Sequence, residues 1–125
     1  FLGQACDRFN IDTEQITLIG FDQGGILSLA LALSYPEKIQ RVVAINSYID
    51  KKLLSFSYQK NNFENLKICL LHGYSNEIVS LDWAEETTEL LKKLHIPYAY
   101  QTFASGHVFS AEMFYAMKTW IEQEE

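Results

Sequence analysis

Short apolar runs rich in β-branched and aromatic residues recur along the chain and predict four β-strands. They cover residues 16–19, 41–45, 66–71 and 97–103. The third run is apolar at nearly every position, which is typical of a strand buried on both faces. Residues 46–65 are mostly polar and predict a long surface loop with room for one helical turn.

The segments between these strands have helical patterns. Residues 26–33 are almost wholly apolar and run toward Tyr35, just before Pro36. Ser80 can cap a helix that continues through His95, with acidic residues early and basic residues late. Ser110 can cap a last helix, and residues 1–9 predict a further helix at the start of the chain. The apolar side chains that share one face of the last helix are Met113, Phe114, Met117, Trp120 and Ile121.

This alternation of helices and strands favours an α/β fold, with a mostly parallel sheet of about four strands and helices on both faces. Binding and catalytic groups are expected at the carboxyl ends of the strands of such a sheet. Three positions there carry polar side chains. Asp22 follows the first strand, Asn76 follows the third and His107 follows the fourth.

The segment GFDQGG at residues 20–25 joins the first strand to the apolar helix. It has the spacing of a nucleophile elbow, G-x-S-x-G, with Asp22 where that motif has serine. The sharp turn needs glycine wherever a Cβ would collide with neighbouring backbone, and we assign that need to Gly20 and Gly24. The residue at the tip is often held at positive φ, which aspartate tolerates.

The composition narrows the classes of function. The chain has 125 residues, is 48% hydrophobic and carries a formal charge of −6. We expect no nucleic-acid partner, because the chain is acidic and has no basic cluster beyond the pairs Lys51–Lys52 and Lys92–Lys93. We expect no membrane span, because no apolar run reaches roughly 18 residues. Two distant cysteines, Cys6 and Cys69, favour a reducing, cytoplasmic location. The histidines and cysteines lack zinc spacing, so we assign no metal.

Several segments together resemble the phospholipase/carboxylesterase family of α/β hydrolases, which includes acyl-protein thioesterases and small bacterial carboxylesterases. In a family member the elbow would read GFSQGG. The resemblance implies a three-layer α/β-hydrolase fold and hydrolysis of a small acyl ester or thioester ligand without a cofactor. The segments that carry it are residues 11–12, 16–25, 35–38, 42–48, 70–73, 79–84 and 106–109.

Three departures from the family pattern bear on activity. By the resemblance, Asp22 stands at the position of the nucleophilic serine, Asn76 at that of the triad acid, and only His107, the base, is retained. The amide of Gln23 is the oxyanion-hole donor that remains. Family members carry further strands before the equivalent of Phe1, so residues 1–125 are expected to form a single partial domain without those N-terminal strands.

We interpret the altered triad as catalytically degenerate. A carboxylate attacking an ester would form an anhydride, and Asp22 places negative charge where the oxyanion must develop. Asparagine at position 76 removes a stabilising charge and permits the wrong histidine tautomer, which costs about 10⁴-fold in rate in a serine protease. Asp22 and His107 would then form a structural ion pair.

Two other interpretations stay open. In hydrolases that act on alkyl halides or epoxides an elbow aspartate is the nucleophile, so that Asp22 would attack an sp³ carbon and His107 would activate water. Glu77 or Asp82 would then have to support the histidine. In the other interpretation the chain is a non-enzymatic binding or assembly module, whose first strand is an unpaired edge that pairs with a second copy or a complementing chain.

The remaining histidines and aromatic residues favour structural roles. We expect His72, at the end of the third strand, to be hydrogen-bonded, and His95 to interact with a helix dipole. Phe109, Phe114 and Trp120 have the spacing of a packed helix and favour core positions. A contribution of Val108 and Phe109 to an acyl pocket stays open.

Overall fold

The computed structural model describes residues 16–124, and its four strands form one parallel sheet. The strands lie side by side in chain order, β1 (Thr17–Phe21), β2 (Arg41–Ile45), β3 (Lys67–Gly73) and β4 (Tyr98–Phe103). The register pairs Ile19 with Val43, Val43 with Cys69, and Cys69 with Ala99. The predicted α/β class and parallel sheet are therefore confirmed.

Three helices connect and follow the strands. They are α1 (Gln23–Ser34), α2 (Leu81–Lys93) and α3 (Ala111–Glu124). Ser80 caps α2 by accepting from the Trp83 amide at 3.3 Å, and Ser110 accepts from the Met113 amide at 3.2 Å. Both predicted caps are thus confirmed, although α2 ends two residues before His95. The helix predicted over residues 1–9 lies outside the described residues.

The sheet is covered on both faces by separate apolar clusters. On one face α1 and α2 pack against the sheet through side chains that include Leu29, Leu33, Val42, Leu70 and Leu91. On the other face α3 packs through Met113 and Met117 against alternate residues of the same strands. The alternation follows from the strand geometry, in which successive side chains point to opposite faces. The arrangement is a three-layer α/β sandwich.

Two expectations about individual side chains are corrected by the structure. Phe109 and Phe114 are 43% and 47% exposed, so neither is a core residue, whereas Trp120 packs at the edge of the α3 cluster. Phe114 directly follows the buried Met113 and points away from the sheet, because neighbours on a helix are about 100° apart. Val108 is also exposed.

The connection between β2 and β3 is better anchored than a surface loop. It contains two 3₁₀ turns, Lys51–Leu53 and Tyr58–Lys60, instead of one helical turn. Asn46 and Phe63 are buried, and the side-chain amide of Asn61 donates to the Leu33 carbonyl at 2.9 Å. The prediction of an exposed loop is therefore wrong at its beginning and near its end.

Large apolar side chains remain exposed along β1 and α1. Leu27 and Leu31 on α1 and Tyr35, which caps its C-terminus, follow one another at intervals of four residues and are 55%, 38% and 52% exposed. Ile19 on β1 is 50% exposed, and β1 is an outermost strand of the described sheet.

Cys69 is buried and unpaired, and burial raises the pKa of its thiol to about 12. Within residues 16–124 no helix is long and apolar enough to cross a membrane.

Candidate functional site

Four polar side chains meet at the carboxyl edge of the sheet, one from the end of each strand. Asp22 follows β1, Asn46 follows β2, Asn76 follows β3 by three residues, and His107 lies in the loop after β4. Because the strands are parallel and adjacent, their carboxyl ends share one edge, and short loops bring the side chains into contact. Three of these residues are predicted from the sequence, and Asn46 is not.

Asp22 occupies the tip of a sharp turn between β1 and α1. Its φ of 54° and ψ of −118° lie outside the helical and strand regions, as expected for an elbow. The Asp22 amide donates to the Ile45 carbonyl at 2.9 Å. Asp22 is also the N-cap residue of α1, but its side chain makes no capping hydrogen bond. The carboxylate is instead directed at His107.

Glycines around the elbow are required for steric reasons, since no described glycine has a positive φ. A Cβ on Gly20 would lie 2.3 Å from the Gly24 carbonyl carbon, and one on Gly25 would lie 1.9 Å from the Ser47 hydroxyl oxygen. A Cβ on Gly24 would meet no atom of the described structure within 4 Å. The expectation that Gly24 is the second required glycine is therefore wrong, and Gly25 has that role.

His107 lies between Asp22 and Asn76. Its Nε2 is 3.3 Å from Asp22 Oδ2, and its Nδ1 is 2.9 Å from Asn76 Nδ2. The side chain of His107 is 15% exposed and that of Asp22 is 36% exposed, so solvent reaches the carboxylate more than the ring. The Phe21 ring lies beside the imidazole, with ring centroids 4.9 Å apart. The three residues therefore have the connectivity of a triad.

The direction of the hydrogen bond between Asn76 and His107 is set by backbone amides. Asn76 Oδ1 accepts from the amides of Ile78 at 2.8 Å and Val79 at 2.9 Å. This places Nδ2, which can only donate, against His107 Nδ1. Nδ1 must then be the unprotonated acceptor, so the neutral ring carries its proton on Nε2. That N–H is directed at the Asp22 carboxylate.

Asn46 extends the same network into the core. It is fully buried with a φ of 51°, and its Oδ1 accepts from the Gly73 amide at 2.9 Å and from Asn76 Nδ2 at 3.1 Å. Its Nδ2 donates to the Val108 carbonyl at 2.7 Å, next to His107. The sequence contains one signal for this residue: Asn46 is the first polar residue after an apolar strand, at the edge where functional groups collect.

The hydrogen-bond polarity of His107 is opposite to that of the histidine in a serine triad. In a serine triad the histidine donates from Nδ1 to a carboxylate and leaves Nε2 free to take the nucleophile's proton. Here Nδ1 accepts from an amide and Nε2 is occupied by its own proton. The arrangement can hold an imidazole N–H against a carboxylate, but it leaves no basic ring nitrogen facing the elbow.

Gln23 and His72 have simpler surroundings. Gln23 is the first residue of α1, and the first amides of a helix have no acceptor within it, so this N–H is available in principle to an oxyanion. His72 is buried, and its Nε2 donates to the Val79 carbonyl at 2.8 Å, which agrees with the predicted structural role. Burial lowers the pKa of His72, and a charge on His107 would lower it further, while the bond to Val79 opposes both. Among residues 16–124 no three potential metal ligands lie close together.

Comparisons with known proteins agree on one family. A family model described as Phospholipase/Carboxylesterase matches residues 2–124. Acyl-protein thioesterase 1 of Candida albicans is 30% identical over 97 residues, which cover 75% of this chain and 42% of that protein. Acyl-protein thioesterase 1 of Debaryomyces hansenii is 34% identical over 89 residues, which cover 70% of this chain and 38% of that protein. The chain thus spans about two fifths of the length of these relatives.

Solved structures support the fold. A carboxylesterase of Bacillus cereus superposes with a TM-score of 0.87 at 19% identity, covering 98% of this chain and 56% of that one. YahD in a structure with malic acid superposes with a TM-score of 0.85 at 16% identity, covering 99% of this chain and 58% of that one. The α/β-hydrolase fold is therefore shown, over part of the length of these proteins.

A pair of matched alanine substitutions tests the steric account of the elbow. We expect Gly20→Ala to lower the free energy of unfolding by about 1–3 kcal/mol, because its Cβ would collide with backbone. Gly24→Ala has open space and good helix propensity, so it should be neutral or stabilising by up to about 1 kcal/mol. Urea unfolding measures both values. Equal destabilisation by the two variants would contradict the account.

The buried His72 predicts a pH dependence of stability. The pKa of His72 is lowered in the folded state, so the unfolded chain binds a proton at this histidine more readily than the folded chain does. The stability that comes with a neutral His72 is therefore present above the unfolded pKa and is lost as the pH falls. Between pH 7 and 5 this loss is at most about 2 kcal/mol for an unfolded pKa near 6.5. His72→Gln keeps a donor for Val79 but does not titrate, so its unfolding free energy should fall less. Parallel pH profiles of the two proteins would refute this.

Proposed function

Because the chain belongs to the phospholipase/carboxylesterase family, we propose that it is a carboxylesterase-like α/β-hydrolase domain whose catalytic site is degenerate. One observation carries the proposal. His107 Nδ1 lies 2.9 Å from a side-chain amide that can only donate. The histidine therefore has the wrong tautomer for a general base at the elbow.

Asp22 is unsuited to acyl transfer for independent reasons. Its carboxylate lies at the N-terminus of α1, where the helix dipole and the His107 N–H stabilise it as an anion. An ester oxyanion bound by the Gln23 amide would develop next to this negative charge, which opposes the stabilisation that oxyanion holes supply. Both the nucleophile position and the acid position are thus altered in mutually compatible ways.

Cleavage of alkyl halides or epoxides through Asp22 is less well supported. That route needs a histidine nitrogen able to take a proton from water once the alkyl-enzyme ester has formed. Asn76 occupies the Nδ1 side of the ring, and Glu77 and Asp82 are both exposed residues for which no contact with His107 is found in the described structure. The hydrogen bonding favours the ring form in which Nε2 already carries a proton.

We propose that the residues now at the site bind a small acyl ester or thioester without turning it over. Support comes from the family and from the position of the site at the carboxyl edge of the sheet, where ligands bind in open α/β folds. Asp22, Asn76 and His107 would form its polar floor, with the Gln23 amide as the donor for a carbonyl oxygen.

Hydrolysis of p-nitrophenyl acetate tests the loss of catalysis. We expect the wild-type protein and His107→Ala to cleave this ester at the same rate, since His107 supplies no base. In a working serine triad, removal of the histidine lowers kcat by about 10⁶-fold. His95→Ala is the matched control, because it removes an exposed histidine outside the site. A rate that drops tenfold in His107→Ala alone would contradict the proposal.

The exposed surface of β1 and α1 favours a second candidate function, a non-enzymatic assembly module. Leu27 and Leu31 are each more than one third exposed on α1, and Ile19 is 50% exposed on the other face of β1, an outermost strand of the described sheet. Exposed apolar surface next to a strand with open backbone groups is suited to pairing with another polypeptide. The partner we propose is a second copy or a chain that extends this sheet.

Sedimentation velocity tests the assembly function. We expect concentration-dependent association of the wild-type protein, weakened about tenfold or more by Leu27→Lys, since burying a leucine contributes roughly 1.5–3 kcal/mol. Tyr115→Lys is the matched control. Tyr115 is 66% exposed on α3, which covers the face of the sheet opposite to α1 and Leu27. A monomer at all concentrations, or equal weakening by both variants, would count against this function.

A further inference from the structure

The carboxylate of Asp22 carries a full negative charge that its neighbours at the site do not neutralise. Its Oδ2 is 3.3 Å from His107 Nε2, and its side chain makes no hydrogen bond to the first amides of α1. A neutral imidazole N–H contributes a dipole and not a counter-charge. Among residues 16–124 no partner is found for the other carboxylate oxygen, Oδ1. A cation bound there would therefore meet an unpaired carboxylate oxygen.

The charge of Asp22 is accessible from solvent. Its side chain is 36% exposed, whereas that of His107 is 15% exposed. Phe21, the preceding residue, is 37% exposed, and its ring centroid lies 4.9 Å from that of the same imidazole. An exposed aromatic face attracts cations, as a carboxylate does. The chemistry of this edge thus suits a ligand that carries a positive charge.

We infer that the ligand of this site is an acyl ester or thioester with an ammonium group on the carbon next to its carbonyl, as in an ester of an α-amino acid. The inference names the ligand class of the proposed acyl site and rests on that proposal. The ammonium group donates to Asp22 Oδ1. The carbonyl oxygen accepts from the amide of Gln23, which opens α1 and has no acceptor within the helix.

Covalent geometry places the ammonium group close to the carbonyl. Asp22 and Gln23 are adjacent residues, so the carboxylate and the amide lie side by side at the start of α1. In an α-amino ester the nitrogen is two bonds from the carbonyl carbon, so the two ligand groups are equally close together. A neutral ester would bring the partial negative charge of its carbonyl oxygen to the carboxylate with nothing to offset the repulsion.

The helix dipole opposes a cation at this position, but it is the weaker effect. The N-terminus of a helix is equivalent to about half a positive elementary charge, whereas the carboxylate carries a whole negative one. A hydrogen bond between charged groups changes a binding constant by roughly 10- to 100-fold. Because Asp22 is more than one third exposed, solvent screens the contact, and the lower end of this range is expected.

The experiment compares the methyl esters of alanine, isobutyric acid and lactic acid. They differ only in the ammonium, methyl or hydroxyl group on the carbon next to the carbonyl. Chemical-shift titrations of the Gln23 and Gly24 amides measure each Kd at about pH 7, below the usual pKa of an α-amino group. We expect the alanine ester to bind about tenfold more tightly than either neutral ester. Asp22→Asn keeps the shape of the side chain and tolerates the positive φ, and it should abolish this preference.

Asp82→Asn is the matched control, because it removes the same charge from an exposed residue of α2 and should keep the preference. Near-UV circular dichroism confirms that each variant is folded. The inference is overturned if Asp22→Asn keeps the preference, or if Asp82→Asn loses it as fully as Asp22→Asn does. Binding of methyl lactate as tight as that of the alanine ester also overturns it, since a hydroxyl donor would then suffice without charge.

The same titrations separate this inference from the proposed function. Equal binding of all three esters to the wild-type protein overturns the inference and leaves the proposed acyl site in place. If none of the three esters shifts the Gln23 amide, the proposed acyl site fails together with the inference. The loss of catalysis is measured independently, by the dependence of p-nitrophenyl acetate hydrolysis on His107.

Discussion

The hydrogen bond from Asn76 to His107 depends on backbone groups whose polarity no side-chain rotation can change. The amides of Ile78 and Val79 occupy the oxygen of Asn76, and the second asparagine, Asn46, presents its own oxygen to the same residue. Each buried donor has one acceptor, and reversing any single bond would leave buried groups unpaired at a cost of about 1–3 kcal/mol. The tautomer of His107 is thus a property of the segment that follows β3, although the histidine itself follows β4.

The elbow persists for reasons unrelated to the residue at its tip. Gly20 and Gly25 permit the close approach of β1, α1 and the segment after β2, and the amide of Asp22 pairs with the Ile45 carbonyl. Aspartate tolerates the positive φ, and its charge is favourable at the start of a helix. The backbone therefore keeps the shape of a hydrolase site, and in our proposal its side chains no longer provide a nucleophile and a base. Membership of a hydrolase family fixes the shape of such a site more firmly than its chemistry.

Much of the fold could be predicted from the sequence, because local signals and packing agree. Apolar runs mark β2 and β4 to within a residue, and Ser80 and Ser110 cap the helices as their positions indicate. The carboxyl edge of the parallel sheet brings together Asp22, Asn76 and His107, as expected from the order of the strands. Asn46 was harder to identify, since its role depends on a buried contact across β3 that no local pattern encodes. Gly25 rather than Gly24 is required because of Ser47, which lies 22 residues later, and Phe114 is exposed because α3 covers the sheet with a narrower face than its composition suggests.

The central claim concerns which nitrogen of His107 carries the proton in the unmodified protein. Long-range ¹H–¹⁵N correlation spectra of the histidine side chains measure this directly, at a pH where the ring is neutral. The account predicts a protonated Nε2 and an unprotonated Nδ1 that accepts from the Asn76 amide. A protonated Nδ1 with an unprotonated Nε2 facing Asp22 would contradict it, since His107 would then have the tautomer of a general base.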